Sequence, residues 1–182
     1  MRPRPALCLE AGGEAARAVA NRAEVHRTLA ELADGPALLA RLVNRTPDAA
    51  LDHRDPERGG WSAREILAHL ADLEFNLHYG ARVARILAED RPELCAAEPD
   101  WRALEHRHGS QDPRVALGAY TLARKHMVGV LQGLPAEAWD RVGIGADGVP
   151  RTLLELAQGF IRHERRHAAR IRELYAQVGF AP

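Results

Sequence analysis

Cysteine is almost absent from this chain of 182 residues: Cys8 and Cys95 are the only two, and they form no CxxC pair. A disulfide framework and a cysteine-rich zinc site are therefore both excluded, and a reducing, cytoplasmic compartment is the expectation. Long hydrophobic runs are missing too. No apolar stretch approaches the ~20 residues needed to span a bilayer. The first residues, Met1 to Leu9, carry arginines but no continuous apolar segment of a secretory signal. Net charge is lacking in either sense, since 25 basic residues balance 25 acidic ones. Nothing overall draws the chain to nucleic acid or to an anionic membrane. Lysine is represented by Lys125 alone, a bias toward arginine to which we attach no functional weight. No segment alternates apolar and polar residues over a strand's length, so the class expected is all-α.

What is present is helical patterning with strong start and stop signals. Residues 1–12, rich in Pro and Gly, read as a loose leader, and 13–182 as one helical domain. A helix is expected over 14–33, interrupted by Asp34-Gly35-Pro36 and then continued or restarted by Leu38 to Val43. Thr46 to Gly60 reads as loop. Ser62-Ala63-Arg64-Glu65 is a capping box, flanked by Trp61 and Ile66 at the spacing of a hydrophobic staple. The helix it opens should reach Glu89, ahead of Asp90-Arg91-Pro92. A third helix is expected over 113–133. A second capping box, Thr152-Leu153-Leu154-Glu155, opens a last helix that should end near Val178, before Gly179. These helices suggest an up-down four-helix bundle, with the order around it left open.

Histidines sit where the last helix should be apolar. Leu156, Phe160, Ile171, Leu174 and Val178 mark its buried stripe, and His163 and His167 fill the gap between Phe160 and Ile171. Four residues apart, their rings project from one face a turn apart, which suits two imidazoles on one metal. His69 follows Ile66 by three and precedes Leu73 by four, so it also points inward. Three inward histidines fit a site with three protein ligands and open positions; equally, each could be a satisfied core residue. The remaining histidines read as surface groups. His78, nine residues past His69, falls half a turn away, and His26, His53, His106, His108 and His126 lack a partner at ligand spacing on a helix.

Residues 163–167 also spell a literal H-E-x-x-H. A zincin protease would need a further ligand downstream, and none follows on a separate element. Glu164 is a weak candidate for acting on a metal-held water, against a solvated helix residue. The cluster Arg162, Arg165, Arg166, Arg170 and Arg172 reads as a solvated face alongside Glu155, Glu164 and Glu173, so nucleic acid is not an expected partner.

Two longer segments resemble a known family. Trp61-Ser62-Ala63-Arg64-Glu65-Ile66-Leu67-Ala68-His69-Leu70-Ala71-Asp72-Leu73-Glu74 is similar to the opening signature of the DinB-like (YfiT-like) metalloenzyme superfamily, and His163-Glu164-Arg165-Arg166-His167-Ala168-Ala169-Arg170-Ile171 resembles its closing motif. Leu134-Pro135-Ala136-Glu137-Ala138-Trp139 resembles its connector, and the likeness covers roughly residues 36–177. The resemblance implies a four-helix bundle, often a homodimer, with His69, His163 and His167 holding zinc, nickel or a similar divalent ion. It also implies a small-molecule substrate, since the family includes S-transferases using low-molecular-weight thiols such as bacillithiol and a mycothiol-dependent isomerase. The chain departs from the family at Gly145-Ala146-Asp147-Gly148-Val149-Pro150, where relatives often carry a His-Pro-x-x-Gly-like loop. The expected function is a thiol-dependent S-transferase or hydrolase acting on a small electrophile, and the alternative is a non-catalytic metal-binding stress-response protein.

Overall fold

The structure is a computed structural model that describes residues 21–57 and 60–181. The expected loose leader, Cys8 and the start of the first helix lie outside the described residues. Helix α1 (Arg22–Val43) begins under an Asn21 cap and runs unbroken through Asp34-Gly35-Pro36. The expected interruption is absent for a tertiary reason. Pro36 has no N–H to give the carbonyl four residues back, and that carbonyl, on Leu32, accepts instead from Arg124 Nη1 at 3.0 Å. Gly35 leaves the space: a Cβ there would lie 2.8 Å from the same guanidinium nitrogen and 2.2 Å from a Glu164 carboxylate oxygen.

After the short α2 (Asp48–Leu51), the Ser62 capping box forms as read and opens α3 (Ala63–Asp72). The helix then continues with π winding over Leu73–Val83 before returning to the α form in α4 (Ala84–Ala88). A connection containing α5 (Pro99–Glu105) leads to α6 (Pro113–Gln132), capped by Asp112. The strands β1 (Val142–Ile144) and β2 (Pro150–Thr152) form a small antiparallel hairpin that residue-by-residue patterning did not reveal, three residues being too short to show alternation. The second capping box opens α7 (Leu153–Gln177). Val178 lies just past its end and is exposed, so it does not extend the buried stripe.

The chain is a four-helix bundle in which α1 packs on α6 and α7, and α3 packs on the same two. α1 and α3 thus face each other across the bundle, as do α6 and α7, while α3 and α6 are neighbours. Two apolar clusters fix the directions. Leu39, Leu70, Tyr120 and Ile171 belong to one, and Leu32, Val83, Met127 and Phe160 to the other. Read along the chain, α1 and α7 run from the second cluster to the first, while α3 and α6 run from the first to the second. The up-down order suggested by the sequence is therefore corrected: long connections carry the chain across the bundle, where short ones would have forced neighbouring antiparallel pairs.

Between the two clusters lies a polar layer with one contribution from each helix. Arg124 of α6, 1% exposed, stands between Glu74 and Glu164, also almost fully buried. Its Nη2 donates to Glu74 at 3.0 Å and its Nη1 lies 2.9 Å from Glu164. Tyr120 donates to Glu164 as well. Burial works to raise the Glu74 pKa, but the hydrogen bond from His78 and the Arg124 charge leave it lowered. Burial wins at Glu164, which is raised despite Arg124 and Tyr120.

Candidate metal centre

His69 from α3 and His163 and His167 from α7 meet on the bundle's inner face. Each offers one nitrogen to a group whose ligand atoms all lie within 4.8 Å of one another. The Nε2 atoms of His163 and His167 are 3.0 Å apart, and those of His163 and His69 are 3.5 Å apart. Metal–nitrogen bonds of about 2.0–2.1 Å in a tetrahedral arrangement would separate two donors by roughly 3.3 Å, so the spacing fits a shared ion. Their chemistry fits too. Burial lowers the pKa of His69 to about 3, of His163 to about 2 and of His167 to about 4, with repulsion from neighbouring cationic groups acting in the same direction. All three are neutral near pH 7, with lone pairs free for a cation. Nδ1 of His69 and of His163 is buried without a hydrogen-bond partner. With the ring protons on Nδ1, the Nε2 lone pairs would face one another, an arrangement that a cation would hold together.

The surroundings hold this geometry. The Ser62 cap fixes the start of α3, and the Trp61 ring lies 4.6 Å from that of His69. Gly35, Arg124 and Tyr120 hold the face of α7 that carries Glu164. That residue follows His163 directly, yet its carboxylate is engaged with Arg124 and Tyr120 and is 3% exposed in all. The reading of Glu164 as a solvated helix residue is thereby corrected: the helix turns it away from the histidine face and into the ion layer.

Two histidines read as surface groups are buried instead. His78 stacks on Phe160 at 4.1 Å, donates Nδ1–H to Glu74 at 3.2 Å and lies 5.8 Å, ring to ring, from His163. Its expected half-turn offset assumed α winding. In the π segment, bonding to the fifth residue takes up one more residue per turn and swings His78 inward. The Glu74–His78 spacing of four was the available signal. His108 is fully buried, 6.2 Å from the His69 ring, and neither of its ring nitrogens has a hydrogen-bond partner. With Asp72 and His106 it makes a second group of potential ligands. Asp72, however, already takes both arms of Arg102 at 2.7 and 2.8 Å, a hydrogen bond from Asn76 at 2.7 Å and His106 at 3.0 Å. That guanidinium is a resident cation, so a dication would add charge to a carboxylate already neutralised. His26 and His53 are not among the buried groups, and His126 rests against Tyr79.

A cavity of about 430 Å³ borders the triad, with His163 in its lining together with Leu73, Leu77, His78, Leu156 and Phe160. No helix among the described residues is long and apolar enough to cross a membrane.

The comparisons with known proteins bear on the family and the fold. The sequence model of the DinB superfamily matches residues 31–171. A protein of Bacillus subtilis (strain 168) named "Putative metal-dependent hydrolase YfiT" is 28% identical over 154 residues, covering 82% of this chain and 83% of its own. A Bacillus licheniformis protein with the same description is 23% identical over 164 residues, 88% of this chain and 90% of its own. The solved structure of the Bacillus subtilis YfiT, described as a probable metal-dependent hydrolase with an unusual four-helix bundle topology, superposes with a TM-score of 0.80 at 21% identity, over 100% of this chain and 95% of that one.

Proposed function

The chain belongs to the DinB superfamily, and on that premise we propose that it is a metal-dependent hydrolase of a small electrophilic molecule, with His69, His163 and His167 as the metal ligands. The observation that carries this reading is the convergence of three neutral Nε2 donors at the edge of a cavity large enough for a substrate. Three imidazoles suit zinc or nickel, and a set of three leaves coordination positions open. A divalent ion held there supplies Lewis acidity, bringing the pKa of a water or thiol toward neutrality.

The protein's own groups do the rest. His163 and His167, one turn apart on a rigid helix, fix two donors, and His69 brings the third from across the interface. Trp61 covers His69 and keeps bulk water from that side. His78 donates Nδ1–H to Glu74, which leaves Nε2 as an acceptor on the cavity wall, suited to hold the proton of a water or a substrate hydroxyl. Glu164 holds the ion layer together and is not assigned to chemistry. The homodimer expected of the family is part of the proposal, and sedimentation of the purified chain tests it.

Elemental analysis combined with His167→Ala tests the site. One ion per chain is expected in the native protein, lost in the variant with its helical circular dichroism intact. A panel of small esters and amides, with and without added thiol, tests the reaction. Metal-dependent hydrolysis without thiol is expected. Turnover that requires thiol would replace hydrolysis with S-transfer, and an ion retained by single alanine variants of all three histidines would overturn the site.

A further inference from the structure

The cavity beside the triad has a cationic side that metal binding does not use. Arg82 and Arg162 line it together with apolar side chains that include Leu77 and Phe160. The π winding creates this wall. Leu73 and His78 are five residues apart, as are Leu77 and Arg82, so each pair is aligned by one turn bonded to the fifth residue. In an α-helix, Leu73 and Arg82, nine residues apart, would face opposite sides.

Neither arginine has a carboxylate partner among the described residues. Arg82 is half-buried. Its Nη2 donates to the Cys95 carbonyl at 3.2 Å, and its Nε is buried with no hydrogen-bond partner. The other charged groups of the lining are already engaged. Arg151 pairs with Asp147 at 2.5 Å, and Glu155 accepts from the Thr152 amide at 2.7 Å. Among the described residues the lining holds three arginines and two carboxylates; Arg162 is exposed, and Arg82 is the half-buried guanidinium without a carboxylate beside it. A guanidinium drawn from water without a counter-ion is costly, and its planar fork is shaped for a bidentate oxyanion.

We propose that this cavity takes a small molecule with a carboxylate head, anchored by Arg82 with support from Arg162. Its apolar body lies along Leu73, Leu77 and Phe160, and its reactive group is delivered to the His163 end. A carboxylate, with one negative charge, matches the one half-buried guanidinium of Arg82 better than a dianionic phosphate does. Delivery to the histidines rests on the hydrolase reading; the anchoring does not.

Calorimetric titration of metal-free protein, in the presence of chelator, separates the two. The probes are 4-phenylbutyrate, 4-phenylbutan-1-ol and 4-phenylbutyl phosphate. The acid is expected to bind at least about tenfold tighter than the alcohol. Arg82→Gln should abolish that preference, Arg82→Lys should retain part of it, and Arg172→Gln, which removes an exposed charge outside the cavity, should leave it unchanged. His167→Ala should also keep the preference, so a failed metal site does not obscure the anchor. Equal binding of acid and alcohol by the native protein would overturn the proposal. So would a preference that survives in the Arg82→Gln, Arg162→Gln double variant, one that falls as much in Arg172→Gln as in Arg82→Gln, or tighter binding of the phosphate than of the acid.

Discussion

The ion layer of Glu74, Arg124 and Glu164 and the triad of His69, His163 and His167 lie beside each other and share α7, yet they relate to their surroundings in opposite ways. In the layer, each charged group meets its complement: Arg124 reaches two carboxylates and the Leu32 carbonyl, and Tyr120 adds a donor. In the triad, three imidazole nitrogens crowd together and two ring nitrogens behind them have no partner. A buried polar cluster that satisfies itself supports a fold, while one whose unmet needs share a sign is built for a guest.

Removing Arg124 should break the comparison most severely. Arg124→Ala leaves two buried carboxylates facing each other, and breaking a buried ion pair in this way costs about 3–5 kcal/mol. Urea denaturation should show that loss; a loss below about 1 kcal/mol, the scale of an exposed pair, would mean the layer is far better hydrated than its burial implies.

Acid should act on the other cluster. The triad imidazoles have folded pKa values of about 3, 2 and 4, below the ordinary 6.5 of the unfolded chain. Between those limits the unfolded state binds more protons, so stability is complete above pH 6.5 and falls as pH drops through that window. His78 and His108, lowered by burial, act in the same direction. For metal-free protein taken from pH 7.5 to pH 5, a loss of about 3 kcal/mol is expected, of order one per triad imidazole after allowance for partial exposure. Thermal melts should show a smaller change in His163→Gln; an identical pH dependence in the two proteins would mean the triad is not buried in its neutral form.

Gly35→Ala sharpens the comparison. Alanine favours a helix by about 1 kcal/mol over glycine, but here its Cβ would meet the Glu164 carboxylate at 2.2 Å. Overpacking of this kind costs about 1–3 kcal/mol, so a net destabilisation is expected in denaturant, and a stabilised variant would show that the layer yields easily.

The smallest effect is expected at the cap of α3. Ser62→Ala should cost about 0.5–2 kcal/mol, and because Trp61 leans on His69 beside that cap, metal affinity should fall by less than about tenfold. Titration calorimetry finding equal affinity would mean the staple of Trp61 and Ile66 holds the helix start alone.

The sequence by itself determined the helical class, both capping boxes and the inward phase of His69, His163 and His167, because caps and α periodicity are local properties with a fixed repeat. The likeness to the DinB-like family rested on the same segments, and the family match supports it. Tertiary structure decided the remainder. Whether α3 and α7 meet, and in what order the helices stand, depends on which apolar faces are complementary, and periodicity carries no such information. Asp34-Gly35-Pro36 reads as a break because a local rule cannot foresee Arg124 arriving from α6 to satisfy the Leu32 carbonyl. The π segment hid His78 and Arg82 from any reading at α spacing. Its winding moves their side chains by up to half a turn, and only packing against the ion layer and the cavity distinguishes that arrangement from the α-helix the same residues would otherwise form.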